Sequence, residues 1–268
     1  MARAHRWREL LSRINPAGLL YSSYEHVVLS DIRREQLPRH VAVMADGNRR
    51  WARANAPGEP LEVGYRAGAQ RLVDFCEWCD EAHIQVVTLW VLSTDNIKRD
   101  AAEVGPLLHV ITDLAETLAD HGDWRVQCVG ALDLLPDDVA ESLRTVAERT
   151  SDQPGMVVNI AVSYGGRHEL RDAVRSLLAE QAAAGATLAE LAESLEIEHI
   201  ADHLYTAGQP DPDLVIRTSG EQRLGGFLLW QSVHSEFYFC DALWPDFRRV
   251  DFVRALRAFA QRERRFGR

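Results

Sequence analysis

Short apolar runs alternate with longer amphipathic stretches from residue 40 onwards. The runs predict six strands: His40–Ala45, Gln85–Leu92, Arg125–Val129, Val157–Val162, Leu214–Ile216 and Phe227–Leu229. The stretches predict helices over 65–82, 103–121, 137–149, 167–185, 187–205 and 250–264. Such alternation is typical of an α/β domain with a mostly parallel six-stranded central sheet flanked by helices. Ligands of these sheets bind beyond the carboxyl ends of the strands, so the residues that follow each strand carry the functional information.

Residues 1–37 lack this alternation, and we expect them to be an N-terminal helical extension ahead of a main domain over residues 38–268. Pro16 interrupts any long helix in the extension. Arginines flank its apolar positions: Arg3, Arg6, Arg8 and Arg13. A segment of this kind can make peripheral membrane contact or pack on the main domain, and the pattern leaves both open.

Charge and hydropathy narrow the class of protein. The formal net charge of −10 argues against nucleic-acid binding. The chain has no apolar run of about 18 residues and no apolar signal-peptide core. We therefore expect a cytoplasmic protein, with membrane association only through residues 1–37. Lys98 is the only lysine, so the other cations are arginines, whose planar guanidinium suits bidentate capture of phosphate.

Cys76 and Cys79 form a CxxC pair, a spacing that also occurs in zinc and redox sites. This pair lies inside a helical pattern, and no second close pair of Cys or His completes a zinc site. We expect buried structural thiols.

The first strand ends in an acid followed by Gly47, Asn48 and a helix-compatible run with Arg49 and Arg50. Free N–H groups and the positive end of the dipole make a helix N-terminus a binding site for anions. The acid, Asp46, suits a phosphate site if Mg²⁺ lies between the two negative groups. The simpler alternative is that Asp46 caps the helix, and spacing alone leaves both open.

Two other strand ends are also compatible with phosphate. The second strand leads into Ser93–Arg99, which supplies hydroxyls, an amide and two cations, or merely a polar loop with a helix cap. The fifth strand leads into Arg217–Gly226, where two arginines frame a turn that contains Gly and Ser. Three such strand ends indicate two anionic substrates, or one long one.

The segment His40–Ala52 reads HVAVMADGNRRWA. It looks like the signature of the cis-prenyltransferase (undecaprenyl diphosphate synthase) family, which the chain resembles over residues 38–267. Further motifs follow in family order: Gly64–Ala69, Ser93–Asn96, Asn159–Arg167, Asp213–Glu221, Phe227–Gln231, Trp244–Phe247 and Arg262–Gly267. Tyr65 stands where the family usually has His, and Gly225 where it usually has Ser. The resemblance implies the cis-prenyltransferase fold, with an apolar tunnel for the prenyl chain between helices 65–82 and 103–121 and the second strand.

The resemblance also implies a role for individual residues. Asp46 is implied to be catalytic and to bind Mg²⁺, and Glu236 to be the second metal carboxylate. The residues implied to bind the two diphosphate substrates are Gly47, Asn48, Arg49, Arg50, Trp51, Ser93, Thr94, Asp95, Arg99, Arg217, Ser219, Arg223, Leu224 and Gly225. Of these, Gly47–Arg50 and Arg99 would hold the allylic diphosphate, and Arg217, Ser219 and Arg223 that of isopentenyl diphosphate.

Asn96 matches the position that the family assigns to proton removal after the carbon–carbon bond forms, and is implied to be catalytic. An amide is a feeble base, so we expect Asn96 to position a phosphate oxygen or a water that takes the proton. The residues after Thr94 correspond to a mobile loop that closes over the substrates. The family also implies a homodimer.

Val91, Leu92 and Tyr65 look closest to short-chain actinobacterial members, which make a (2Z,6E)-farnesyl product from geranyl diphosphate. Longer-chain members tend to have a smaller residue at Val91, the implied chain-length position. One alternative is a longer polyprenyl diphosphate, decaprenyl or undecaprenyl, for carrier lipid. Another is a non-catalytic partner subunit. The argument against it is the retention of five residues: Asp46, Asn96, Arg217, Arg223 and Glu236.

Overall fold

The structure, a computed structural model, describes residues 32–262. Most of the predicted N-terminal extension therefore lies outside the described residues, as do the last two residues of the predicted 250–264 helix and all but the first residue of Arg262–Gly267.

Six strands form one parallel sheet in the order β3-β4-β2-β1-β5-β6. Their bounds are β1 His40–Met44, β2 Val86–Trp90, β3 Arg125–Val129, β4 Val157–Ala161, β5 Leu214–Arg217 and β6 Glu236–Phe239. Val41, Ala42 and Val43 of β1 have no exposed surface, as expected for a parallel strand covered on both faces. The predicted α/β class with a parallel central sheet is confirmed.

Helices connect most of the strands. Their bounds are α1 Asn48–Asn55, α2 Glu62–Glu81, α3 Ala101–Ala119, α4 Asp137–Arg149, α5 Gly166–Ala183, α6 Leu188–Ser194 and α7 Ile197–Ala201. The sheet and these helices lie in one compact unit, residues 38–247. The described part of a second unit consists of residues 32–37 and 248–262, with a 3-10 turn at Arg34–Gln36 and helix α8 at Arg249–Ala260.

The order of the strands determines where a ligand cleft can form. The chain goes from β1 to β2 on one side and returns later to place β5 on the other side of β1. The connections that leave β1 and β5 therefore diverge, which opens a crevice beyond their carboxyl ends. Met44 pairs with Arg217 in this register, so the segments after both residues begin at the same level of the sheet.

The predicted sixth strand is wrong. Phe227–Leu229 is a turn in which Leu228 has a φ of +44°, a conformation that a strand cannot contain. Phe227 and Leu228 are buried among core residues, which accounts for their apolar character. The sixth strand is β6, nine residues further on. It begins with the charged Glu236, so its sequence does not form a wholly apolar run.

The predicted helix over 187–205 is two short helices. Leu195 and Glu196 are extended between α6 and α7. A capping box at each start, with Thr187 and Glu196 as the N-caps, begins a new helix on either side of this break.

Cys76 and Cys79 are buried, unpaired thiols in α2, as predicted. Burial raises the pKa of both thiols above the usual range, so they stay protonated and unreactive.

Candidate active site

Asp46 lies in the short connection between β1 and α1. Gly47, which follows it, is the N-cap of α1 with a φ of +114°. A Cβ there would lie 2.9 Å from Leu243 Cδ2 and 3.0 Å from Leu243 Cα, so the tight turn requires glycine. Because Gly47 caps the helix, the interpretation of Asp46 as the helix cap is wrong.

The ends of β1 and β5 meet at Asp46. Its Oδ2 lies 3.3 Å from Nη2 of the buried Arg217, and its Oδ1 lies 3.6 Å from Arg50 Nη2. The Thr218 hydroxyl accepts from Asp46 N at 3.1 Å and donates to Asp46 O at 2.8 Å, which fixes the backbone of the acid. Arg217 also donates to the carbonyl of Arg223. Asp46 thus contacts Arg217, and the backbone of Arg223 is held beside Arg217, while the Arg223 guanidinium pairs with Glu221 Oε2 at 2.6 Å.

A cleft with two lobes opens around Asp46. Lobe A has a volume of about 320 Å³ and is lined by Met44, Ala45, Asp46, Trp90, Val91, Leu92, Ser93, Asn96, Arg99, Arg217, Arg223 and Gly225. Lobe B has a volume of about 270 Å³ and is lined by Ala45, Asp46, Gly47, Asn48, Arg49, Arg50, Arg53, Tyr65, Val91, Asn96, Arg99 and Leu107. Both lobes contain several arginines, and Asp46 lines both. Val91, the implied chain-length position, also lines both.

Glu103 of α3 contacts three polar side chains that line lobe B. Its Oε1 lies 2.9 Å from Arg99 Nη1 and 3.4 Å from Arg49 Nε. The same oxygen accepts a hydrogen bond of 2.9 Å from the hydroxyl of Tyr65. Burial and this hydrogen bond raise the pKa of Tyr65 to about 12, so its hydroxyl remains a donor at neutral pH.

Asn96 has a defined orientation. Its Oδ1 accepts a hydrogen bond of 2.8 Å from Arg99 Nη2, a group that can only donate. The amide nitrogen, itself only a donor, is therefore the group that Asn96 can offer to a ligand. Ser93 Oγ accepts from Asn96 N at 3.1 Å and holds the turn that carries the amide.

A buried network supports the segment after Arg223. Leu228 N donates to the hydroxyl of Tyr164 at 3.1 Å, and Tyr164 donates in turn to Glu169. Gln231 Nε2 donates to the other oxygen of Glu169 at 2.9 Å. Upstream, Gly225 has a φ of +59°, and a Cβ there would approach the ring of Trp90 to 3.3 Å. Serine, the usual family residue, would be strained at this position.

Five of the predicted substrate-binding residues line neither lobe. They are Trp51, Thr94, Asp95, Ser219 and Leu224. Thr94 and Ser219 are buried, while the exposed Asp95 pairs with Lys98 at 3.2 Å. Trp51 Nε1 donates to Asp246 Oδ1 at 2.8 Å instead.

Glu236 is not brought to Asp46 within one chain. It opens β6 and pairs with Leu214, whereas Arg217, which contacts Asp46, pairs with Phe239 three residues further along the strand. Glu236 therefore lies roughly 10 Å along the strands from the level of the cleft. Its role as a second metal carboxylate stays a prediction.

Sequence reasoning assigned no role to Glu103 or Trp90. Glu103 follows Arg99 by four residues, a spacing that favours an ion pair on a helical turn. That spacing alone could not place Glu103 beside Arg49 and Tyr65. Trp90 ends β2 and stacks on Phe227, with ring centroids 5.0 Å apart. As an apolar residue at a strand end, it gave no functional signal.

Two features are absent from residues 32–262. No cluster of three or more potential metal ligands occurs there. Over the same residues, the helices are all too short or too polar to span a bilayer.

Comparisons with known proteins agree with the geometry. Residues 44–267 match the prenyltransferase family described as "Putative undecaprenyl diphosphate synthase". The chain is 55% identical over 248 residues to the (2Z,6E)-farnesyl diphosphate synthase of Thermobifida fusca, with 92% of this chain and 97% of the relative covered. It is 51% identical over 251 residues to the enzyme of the same name from Mycolicibacterium smegmatis, covering 92% and 95%. Isoprenyl transferase 1 of Streptomyces avermitilis is 49% identical over 255 residues, covering 95% and 98%.

A solved structure has the same fold. It is lavandulyl diphosphate synthase from Lavandula x intermedia in complex with dimethylallyl diphosphate, with a TM-score of 0.80 and 30% identity. The match covers 87% of this chain and 100% of that one. Together with the cleft at Asp46, these matches identify the chain as a member of the cis-prenyltransferase family, which confirms the resemblance found in the sequence.

Proposed function

We propose that this chain carries out Mg²⁺-dependent cis-prenyl chain elongation. It condenses isopentenyl diphosphate with an allylic diphosphate, preferably geranyl diphosphate, and yields a short Z-prenyl diphosphate such as (2Z,6E)-farnesyl diphosphate. The observation that carries the proposal is that one carboxylate, Asp46, lines two lobes that both contain arginines. A condensation between two diphosphate esters needs two anion sites side by side, with their reacting carbons held together.

The two lobes suit the two substrates differently. Lobe A combines Arg217 and Arg223 with apolar residues and suits the diphosphate and short carbon chain of isopentenyl diphosphate. Lobe B combines Arg49, Arg50 and Arg99 with the N-terminus of α1. Negative charge grows on the allylic diphosphate as it departs, and lobe B supplies the greater concentration of donors for it.

The donor set fits a divalent ion at Asp46. The Asp46 side chain is 42% exposed and lines both lobes, so its outer face is open to a ligand. One carboxylate together with substrate phosphate oxygens and water is a usual set for Mg²⁺. When bound there, the ion supplies positive charge against the departing diphosphate.

The other residues of the cleft have separate roles in the reaction. The arginines orient both diphosphates, so that the double bond of isopentenyl diphosphate attacks the allylic carbon. The apolar walls of lobe A, Met44, Val91 and Leu92, exclude water that would trap a cation-like carbon. Asn96 presents an N–H₂ group, so it holds a diphosphate oxygen by hydrogen bonding, and that oxygen takes the proton.

The names of two relatives support a short product, since both are (2Z,6E)-farnesyl diphosphate synthases at more than 50% identity. Val91 lines both lobes, where a branched side chain can limit elongation. The apolar tunnel, the homodimer and the peripheral membrane contact of residues 1–37 are further parts of this proposal.

Incubation of the purified chain with geranyl diphosphate and excess isopentenyl diphosphate tests the proposal. We expect a farnesyl-length product with one new Z double bond in Mg²⁺, none after EDTA, and recovery when Mg²⁺ is restored. Mainly decaprenyl or undecaprenyl products would favour the carrier-lipid alternative. No product under any of these conditions would favour the non-catalytic subunit.

A further inference from the structure

Glu103 concentrates three donors on a single carboxylate oxygen. Arg99 Nη1, Arg49 Nε and the Tyr65 hydroxyl all approach Oε1. The Glu103 side chain is only 17% exposed, so this convergence is not a chance contact on an open surface. Without the carboxylate, the guanidinium groups of Arg49 and Arg99 would repel each other, because both carry a positive charge.

Glu103 itself lines neither lobe, whereas its three partners do: Arg49 and Tyr65 line lobe B, and Arg99 lines both lobes. A carboxylate behind the cleft would not touch a diphosphate, but it fixes the cations that would. Arg49 Nε lies at ion-pair distance without hydrogen-bond geometry, so Glu103 orients this guanidinium while its terminal nitrogens remain available to a ligand.

The contact also extends to Asn96. Arg99 uses Nη1 for Glu103 and Nη2 for Asn96 Oδ1, at 2.9 and 2.8 Å. One guanidinium thus links the carboxylate to the amide, and the position of Arg99 determines which face of Asn96 is presented to the cleft. Asp100, the N-cap of α3, accepts from Ala102 N at 2.9 Å and fixes the helix turn that carries Glu103.

We propose that Glu103 is the positioning residue of lobe B, which sets Arg49 and Arg99 at the spacing that an allylic diphosphate requires and locks them there through Oε1 together with the Tyr65 hydroxyl. This inference rests on the proposed function, because it takes lobe B as the allylic side. The position of the Glu103 oxygen matters as well as its charge. A carboxylate that does not extend to the point occupied by Oε1 would not hold the two arginines in place.

Calorimetry with geranyl diphosphate alone tests the inference, since no condensation occurs without isopentenyl diphosphate. Glu103→Ala should weaken binding about tenfold, the loss expected for misplaced charge-assisted contacts. Glu103→Gln keeps an oxygen at the same reach and should weaken binding less. Glu103→Asp keeps the charge but shortens the side chain by about 1.5 Å, and should be weaker than Glu103→Gln.

Three controls separate positioning from a general structural effect. Glu116→Gln, on the same helix, removes an ion pair of 2.8 Å with Arg149 outside the cleft and should leave binding unchanged. The Kd for isopentenyl diphosphate should change less than the Kd for geranyl diphosphate in every Glu103 variant, since Arg99 also lines lobe A, and circular dichroism should show an intact fold. Glu103→Ala should weaken binding no further in a chain that already carries Arg49→Ala and Arg99→Ala, because Glu103 acts through these two arginines.

Equal or tighter binding of geranyl diphosphate by Glu103→Ala would overturn the inference. So would a Glu103→Asp variant that binds like the unchanged chain while Glu103→Gln does not, because charge alone would then suffice. A chain that binds geranyl diphosphate in this pattern but never condenses it would overturn the proposed function and leave the role of Glu103 standing.

Discussion

At the carboxyl ends of β1 and β5, Asp46 and Arg217 meet at an open cleft, whereas at the start of β1 the ring of His40 is buried against Thr88 of β2. Both regions are polar parts of one sheet. In the cleft, charged groups surround a space, and the buried Arg217 Nε has no hydrogen-bond partner among the described residues. Around His40, the polar side chains satisfy one another, and Asp213 Oδ2 accepts from His40 N at 3.2 Å.

The region around His40 is a closed network. His40 Nε2 and Asn159 Nδ2 both bond to Thr88 Oγ1, at 2.8 and 3.0 Å. Asn159 Nδ2 also reaches Gln209 Oε1 at 2.7 Å, and Gln209 Nε2 reaches Gln127 Oε1 at 2.9 Å. Burial lowers the pKa of His40 to about 4, so its ring is neutral at pH 7. The network around His40 therefore stabilises the sheet, whereas the cleft keeps charged groups available for a ligand.

The largest expected effect is on turnover. Asp46→Ala should lower kcat by at least about 10³-fold, because the acid common to both lobes is lost. The unfolding midpoint should change little, since the Asp46 side chain is 42% exposed. Steady-state kinetics and thermal unfolding measure the two quantities.

The control for that variant is Asp74→Ala, which breaks an ion pair of 2.8 Å with Arg71 on α2 and should retain turnover. Near-normal turnover of Asp46→Ala would remove the basis for a metal site at this residue.

The next effect is on stability in acid. Burial holds the folded pKa of His40 at about 4, against 6.5 for the free side chain. Below pH 6.5 the unfolded chain therefore binds a proton that the folded chain does not, and stability falls as the pH drops towards 4. The contribution reaches roughly 3 kcal/mol. Urea unfolding of the unchanged chain and of His40→Gln from pH 7 to pH 4 should show a flatter acid limb for the variant.

Identical acid limbs in both chains would mean that His40 is not the group that is buried neutral. Carboxylates that also titrate in this range contribute equally to both chains, so the difference between the limbs isolates His40.

A smaller stability effect is expected at Thr88. Thr88→Val keeps the shape but leaves His40 and Asn159 without their common partner, at a cost of about 1–3 kcal/mol. We expect kcat/KM to change less than about twofold, since the network lies away from the cleft. Thr112→Val removes an exposed hydroxyl contact to His109 O and should cost less than about 0.5 kcal/mol. A large loss of kcat/KM in Thr88→Val at unchanged stability would show that the two regions are coupled.

The smallest effect on rate is expected at Val91. Val91→Ala should shift the products towards longer chains while the rate of the first condensation stays within about threefold, because the substitution removes volume and no charge. Product chromatography measures this shift. An unchanged product length would mean that chain length is determined elsewhere.

Much of the fold could be predicted from periodicity, because five of the six strands are apolar runs at short intervals. β6 could not, since its sequence EFYF is less continuous in apolar character than the buried turn at Phe227–Leu229. The break before α7 was also missed, because the capping by Glu196 and His199 lies within an otherwise helical pattern.

The cleft was predictable where its residues lie at or just beyond a strand end, as Arg217 does at the end of β5 and Asp46 does two residues after β1. Glu103 lies on helix α3, far in sequence from Arg49 and Tyr65, and only the tertiary structure brings these three residues into contact. Trp51 and Thr94 belong to the matched motifs but line neither lobe. The motifs therefore located the site, but they did not distinguish the residues that line the cleft from those that lie outside it.

The proposed condensation requires two diphosphates side by side with Asp46 between them. A crystal structure of the chain with Mg²⁺, isopentenyl diphosphate and an unreactive thio analogue of geranyl diphosphate would show whether they bind in this way. We predict one diphosphate on Arg217 and Arg223, the other on Arg49 and Arg99, and the metal ion on Asp46. A structure with both diphosphates bound away from Asp46, or with both lobes empty, would contradict the account.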